Sequence, residues 1–272
     1  MGLSETKRLL RIFRITPNKL MGQNFLVEGF LHPKLTDYAA LNRNDVVLDA
    51  GAGFGFLARF LSGKCKTVVT VEKDRRIVEI LREQVKGLSN VVVVEGDMLK
   101  VALPEFNKVV TIPPYYLSSH LVLWLLERNV DCAVLILQKE FVNRLVANVA
   151  SEDYGWLAVI ANYRLRIDVL DEVPKTMFYP QPEVNSVIVR LTPWRIAPFC
   201  VNDEAFFNRL VRWLFTDRNK KLNNALVSFL KTTRHLDKVE AKKCASKAPL
   251  GERRVRELTP RDFGDLANVF SE

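Results

Sequence analysis

The residues of this chain that could do chemistry collect where apolar runs stop. Val46-Val47-Leu48-Asp49-Ala50-Gly51-Ala52-Gly53-Phe54-Gly55 is a strand-like run that breaks into a glycine-rich turn before a second apolar stretch, Phe56 to Leu61. Gly51 and Gly53 let the backbone pass close to a ligand, and the N–H groups of the turn and the helix start can hold an anionic group. A nucleotide-type cofactor is cradled in this way. A plain tight strand-to-helix turn looks the same, and the spacing is GxGxG, not the GxGxxG of dinucleotide binders. The next run, Thr67 to Val71, ends in Glu72-Lys73-Asp74, an acid about 20 residues beyond the glycine loop, where ribose hydroxyls are accepted. Helix capping is the other role for Glu72, and Asp74 is the better placed cap. A third run, Val91 to Val94, leads into Glu95-Gly96-Asp97, whose carboxylate could accept from the amine of a cofactor adenine. Three strand tips aimed at one ligand are more specific than the loop alone.

The fourth run, Lys108-Val109-Val110-Thr111, opens into Ile112-Pro113-Pro114-Tyr115-Tyr116-Leu117-Ser118-Ser119. An exocyclic adenine amine is a poor nucleophile because its lone pair is delocalised into the ring. Acceptors that bind its hydrogens favour the pyramidal nitrogen of the transition state. A proline-stiffened turn can aim a backbone carbonyl, that of Pro113, at such an amine, and Tyr115 can stack on a base extruded from its strand. The bland alternative is a stiff loop with a core tyrosine.

The elements needed to hold these tips together follow from the texture of the chain. Val/Ile/Leu-rich runs alternate with helix-period segments from Asp45 onward, which predicts an α/β domain with a parallel sheet covered on both faces. Expected strands are 46–49, 67–71, 91–94, 108–111 and 132–137, with later β-type runs at 157–163 and 186–191; expected helices include 75–85 and 121–128. After Leu191 the stretch Thr192-Pro193-Trp194-Arg195-Ile196-Ala197-Pro198 reads as a linker. Beyond it the chain reads as helical and basic, with a last helix started by Thr259-Pro260-Arg261-Asp262.

The formal net charge of +9 over 272 residues is the footprint expected of a protein that neutralises phosphates, and also of a generally basic surface. Cys65, Cys132, Cys200 and Cys244 form no metal-ligand spacing, so no metal is expected, and a reducing intracellular compartment fits best. No run is long enough to span a membrane and no signal-peptide core stands at the start, which predicts a soluble protein. Lys7-Arg8-Leu9-Leu10-Arg11-Ile12-Phe13-Arg14 is basic and amphipathic, as in an organelle presequence, a membrane-surface helix or an RNA-contacting arm; we favour the arm.

With these motifs in hand, most of the chain resembles the rRNA adenine dimethyltransferase family (KsgA type). Gly22-Gln23-Asn24-Phe25-Leu26 is similar to the family's GQ(H/N)FL, which implies that Asn24 and Leu26 meet the methionine end of the cofactor. Asp49 to Gly53 resembles its Glu-x-Gly-Pro-Gly loop. Glu72 and Asp97 match its ribose-binding and adenine-binding acids. Phe178-Tyr179-Pro180-Gln181-Pro182-Glu183-Val184-Asn185-Ser186 resembles FxPxPxVxS, which implies that Phe178 lies near the target base; an aromatic plug under a double-proline loop is the other reading. The resemblance implies a Rossmann-like S-adenosylmethionine-dependent methyltransferase domain, residues 1–193, with a smaller all-helical, basic, RNA-docking domain, residues 194–272. It implies methylation of adenine N6 amines near the 3′ end of small-subunit rRNA, dimethylation in the family, and a role in small-subunit biogenesis. The implied partners are that rRNA and the small-subunit precursor, met by a cytoplasmic monomer. The family's Asn-(Leu/Ile)-Pro-Tyr departs here, with Ile112 at the Asn, so the catalytic set is Ile112, Pro113, Pro114, Tyr115 and Phe178. Ile112 also motivates an alternative, an rRNA-binding ribosome-assembly factor without chemistry.

Overall fold

The computed structural model describes residues 2–18 and 22–271, and the chain falls into two compact units, Met1–Val142 with Arg166–Pro193, and Asn143–Leu165 with Trp194–Glu272. The first unit opens with helix α1 (Leu3–Ile12), strand β1 (Phe25–Leu26) and helix α2 (Leu31–Tyr38). Strands β2 (Val46–Ala50), β3 (Thr67–Glu72), β4 (Val91–Glu95), β5 (Lys108–Thr111) and β6 (Cys132–Gln138) then alternate with helices α3 (Phe56–Ser62), α4 (Arg75–Gln84) and α5 (Ser118–Leu126). Helix α6 (Lys139–Leu145) leads to α7 (Trp156–Arg164), and β7 (Leu165–Val173), β8 (Phe178–Tyr179) and β9 (Ser186–Pro193) complete the strands.

Seven strands form one sheet in the order β4-β3-β2-β5-β6-β9-β7, and β1 pairs with β8 in a separate two-stranded ribbon. The pairs β3–β4, β2–β3, β2–β5 and β5–β6 are parallel and β6–β9 is antiparallel. Strand order reverses between β2 and β5, so the carboxyl ends of β2, β3, β4 and β5 open on one edge at the switch point where ligands of such sheets bind. The strands are legible as runs because the central ones are buried on both faces. Val47, Leu48, Val109, Val110 and the stretch from Val134 to Leu137 are all inaccessible to solvent. Leu35, Leu57, Leu61, Leu81 and Ile188 pack with Val47, Val110, Val134 and Ile136 in one core.

Two expectations fail here. Residues 157–163 are helical, not β-type: α7 buries Ala158, Val159, Ile160, Ala161 and Tyr163, and a helix buried nearly all round loses the periodicity that marks an exposed one. The strand follows it as β7, whose apolar residues are interrupted by Arg166, Asp168, Asp171 and Glu172 because it is an edge strand with solvent beside it. The segment Asn143–Leu165, expected in the first domain, belongs to the second unit. Tyr163 packs 4.9 Å from Phe199 and 5.3 Å from Phe207, and the Tyr154 hydroxyl donates to the Leu258 carbonyl at 2.9 Å.

The second unit adds α8 (Glu204–Leu214), α9 (Leu222–Arg234), α10 (Lys238–Ala245) and α11 (Pro260–Phe270). Thr259 caps α11 with the capping box and first-turn proline that its sequence predicts. Among the described residues, no helix is long and apolar enough to cross a membrane, and no three His, Cys, Asp or Glu side chains come together as metal ligands.

Candidate active site

Four strand ends build one cleft, about 710 Å³ of space when its open mouth is counted. Gly51 and Gly53 line it from the turn after β2, Glu72 from the tip of β3, Asp97 after β4, and Ile112, Pro113, Pro114 and Tyr115 after β5; Asn24 closes it from the loop before β1. Nine of the eleven residues expected at the site therefore share a wall. Leu26 instead lines an adjoining recess with His32 and Asp49. Phe178 is buried at 2% exposure in the core, and its ring meets Tyr115 edge-on at 6.2 Å. It is the plug beneath Tyr115 and does not line the cleft.

The glycine turn works by close approach. Gly51 has φ +83, and a Cβ there would stand 2.5 Å from Pro114 Cδ, so the turn after β2 lies directly on the proline turn after β5. Most of its N–H groups are already engaged: Gly51 and Ala52 donate to the Val71 carbonyl at 2.8 and 3.0 Å, and Gly55 to Ala52. The Gly53 N–H donates to Glu72 Oε2 at 3.0 Å. Gly22, at φ +58, would bring a Cβ within 3.2 Å of the Tyr116 ring and 3.3 Å of the Tyr115 nitrogen, so the loop before β1 closes onto the same turn.

Glu72 Oε1 accepts from the N–H groups of Lys73 and Asp74 at 2.8 and 2.9 Å. With Gly53 on its other oxygen, three of roughly four lone-pair directions are used. One remains for a ligand hydroxyl, where the sequence alone suggested two. Burial pushes the Glu72 carboxyl up, and these three backbone donors oppose the rise. Asp74, not Glu72, caps α4, accepting from Arg76 N at 3.1 Å. Asp97 accepts from Leu99 N and pairs with Lys73 Nζ, both at 3.1 Å. Burial pushes it up, but the Lys73 and Leu99 contacts outweigh that and hold it below the usual carboxylate range.

On the proline turn, the Pro114 carbonyl accepts from Leu117 N at 2.9 Å and the Tyr115 carbonyl from Ser118 Oγ at 2.8 Å. The carbonyl of Pro113 accepts no hydrogen bond among the described residues. The Tyr115 hydroxyl lies 2.7 Å from Ser186 Oγ, which fixes its ring, and burial pushes its pKa up to about 12. Ile112 lines both the cleft and the adjoining recess.

Sequence reasoning missed three groups. Lys73 and Tyr116 line the cleft, Tyr116 with 46% exposure; a Lys beside a paired acid and a second Tyr in the motif were the available signals. Asp49, in the recess, is 1% exposed with Oδ2 lacking any partner, a state no residue type announces.

The sequence matches the family of ribosomal RNA adenine dimethylases over residues 15–261. It is 36% identical over 270 residues to a probable ribosomal RNA small subunit methyltransferase A of Methanosarcina barkeri, covering 98% of this chain and 92% of that one. A probable ribosomal RNA small subunit methyltransferase A of Pyrococcus abyssi is 34% identical over 265 residues, 97% of this chain and 96% of its own. The crystal structure of a dimethyladenosine transferase from Plasmodium falciparum superposes with a TM-score of 0.77 at 26% identity, covering 91% of this chain and 97% of that one. That of the 23S rRNA methyltransferase ErmE gives 0.65 at 25% identity, over 92% and 100%. The chain therefore belongs to the ribosomal RNA adenine dimethylase family of S-adenosylmethionine-dependent methyltransferases.

Proposed function

We propose that the protein methylates adenine N6 amines near the 3′ end of small-subunit rRNA, in the cytoplasm, as a monomer acting on a small-subunit precursor. The single observation that supports the chemistry is that Pro113, whose carbonyl accepts no hydrogen bond among the described residues, lines the cleft next to Pro114, which packs on Gly51.

The cleft fits the cofactor by its acceptors: an acid at the β3 tip with one acceptor direction open and a second acid after β4, above a glycine-lined floor. S-adenosylmethionine, when bound, supplies an electrophilic methyl group on a sulfonium. In this reading Glu72 accepts from a ribose hydroxyl, Asp97 from the adenine amine of the cofactor, and Asn24 closes over its methionine end. Leu26 acts at one remove, through the recess. The Pro113 carbonyl accepts an N–H of the target amine, which leaves the nitrogen lone pair free of the ring and aimed at the methyl. Tyr115 gives the target base its stacking face, and Phe178 holds Tyr115 from below. The amine proton can pass to water after transfer, so positioning carries most of the rate and no metal or dedicated base is required.

The test is transfer of labelled methyl from S-adenosylmethionine to unmodified small ribosomal subunits, with mass analysis of the 3′-terminal rRNA fragment. Incorporation on adenine is expected. Subunit binding without any incorporation would overturn the reading.

A further inference from the structure

One strongly charged surface has no task in this chemistry, the outer face of α1. The helix seats on the first unit through Thr6, Leu9 and Leu10, all buried. Leu9 and Leu10 join a cluster with Phe54, Phe56 and Ile80. At 100° per residue, Lys7, Arg8 and Arg11 share roughly 100° of the opposite side. Arg14 follows where the chain turns left-handed, φ +52. All four are exposed and none pairs with an acid among the described residues; Glu5 is the single carboxylate between residues 2 and 18. Ile12 and Phe13, 57% and 44% exposed, stand between Arg11 and Arg14. The helix is tied to the rim of the cleft: Lys7 Nζ sits 5.0 Å over the Tyr179 ring, Tyr179 pairs with Phe25, and Phe25 lines the cleft.

We propose that this face of α1 grips the phosphates of the RNA strand that feeds the target nucleotide into the cleft, an inference that rests on the methyl-transfer reading. Unpaired cations beside a cleft that must admit an extruded base are complementary to a phosphate backbone, and the exposed Phe13 ring suits a neighbouring base. A membrane is a poorer fit, because a surface helix must give its apolar face to lipid, and here Leu9 and Leu10 are spent on the protein core.

The test removes three charges at constant length, Arg8→Gln, Arg11→Gln and Arg14→Gln, leaving Lys7 on Tyr179. Binding of a 3′-terminal small-subunit rRNA fragment to the full chain is followed by fluorescence anisotropy across a salt series, with cofactor affinity by calorimetry as the fold control. The triple variant is expected to bind RNA about 10–100-fold more weakly at 0.1 M salt, with the slope of log affinity against log salt reduced by about 2–3. Cofactor affinity should be unchanged, and the triple Arg→Lys variant should keep most of the RNA affinity. An unaltered affinity and slope in the Gln variant, while the wild type methylates the RNA, overturns the α1 surface and leaves the enzyme standing. Loss of binding to phosphatidylglycerol vesicles with RNA binding intact overturns it in favour of lipid. A wild type that transfers no methyl to RNA overturns both.

Discussion

Asp45 and Asp49 stand four residues apart at the two ends of β2, and they are buried alike at 3% and 1% exposure. Asp45 is saturated. It pairs with Lys108 Nζ at 3.0 Å and accepts from Asn107 Nδ2 at 2.9 Å and Asn42 N at 2.8 Å. Burial pushes its carboxyl up, but Asn107, Asn42 and Lys108 outweigh burial and hold it below the usual range. Asp49 keeps one oxygen without a partner, and burial pushes its carboxyl up to about 7. One end of the sheet thus closes its polar groups on each other and serves as a strut. The other end leaves acceptors over, on Asp49 and at Pro113, and that surplus fits the end where we propose that a ligand binds.

The contrast can be broken first at the strut. Lys108→Ala leaves Asp45 as an uncompensated buried charge and should cost about 3–5 kcal/mol of unfolding free energy, read by urea denaturation, with the cofactor affinity of the folded protein unchanged. An unmoved midpoint would mean that the network at that end contributes nothing. The next effect is at the other end. A carboxyl whose folded pKa is raised contributes stability that is complete below its unfolded value, near 4, and is lost as pH rises through about 7. The protein should lose stability between those values, and Asp49→Asn should abolish that part of the pH dependence, on the order of 2–4 kcal/mol between pH 4 and 8. Parallel stability–pH curves for the two proteins would show that Asp49 does not titrate as its burial requires.

The same contrast explains how much of the molecule is legible in the sequence. The runs of β2, β3, β5 and β6 read directly, because a strand covered on both faces is apolar at nearly every position, and β4 reads as a run of four valines although it is the half-exposed edge strand. The loop–acid–acid–proline series reads as strand tips facing one place, and these residues do line one cleft. What did not read is whatever depends on a partner distant in the chain. The all-round burial of α7 erased its period, and β7 carries an edge strand's charges. Phe178 has an aromatic's two possible fates, and only its packing under Tyr115 decides between them. The open oxygen of Asp49 and the third backbone donor on Glu72 are likewise facts of assembly.

Cofactor affinity and transfer test the acceptors of the cleft one by one. Glu72→Ala removes a charged acceptor and loosens the Gly53 turn it holds, so binding should weaken about 10–100-fold by calorimetry, as charged hydrogen bonds of about 1.5–3 kcal/mol imply. Unchanged turnover in that variant would remove Glu72 from the site. Ile112→Asn adds a side-chain acceptor beside Pro113 and should raise single-turnover transfer by about tenfold or add a second methyl to the product, less than the effect of a fully preorganised group. An unaltered rate and methyl count would mean that the Pro113 carbonyl alone suffices.

The smallest effect is expected at Lys73, whose pair with Asp97 is half exposed, with 52% of the Lys side chain open to solvent. Exposed pairs contribute little to stability, so Lys73→Ala should not unfold anything. Its consequence lies in competition, since Lys73 Nζ donates to Asp97 Oδ2, and in the proposed site the cofactor amine donates to the same carboxylate. Freeing that oxygen should tighten cofactor binding by about 2–5-fold at low salt, and the advantage should vanish near 1 M salt, where the pair in the wild type is already screened. Weaker binding in the variant at every salt concentration would instead make Lys73 part of the cofactor wall, and the surplus at this end of the sheet would then include a donor as well as acceptors.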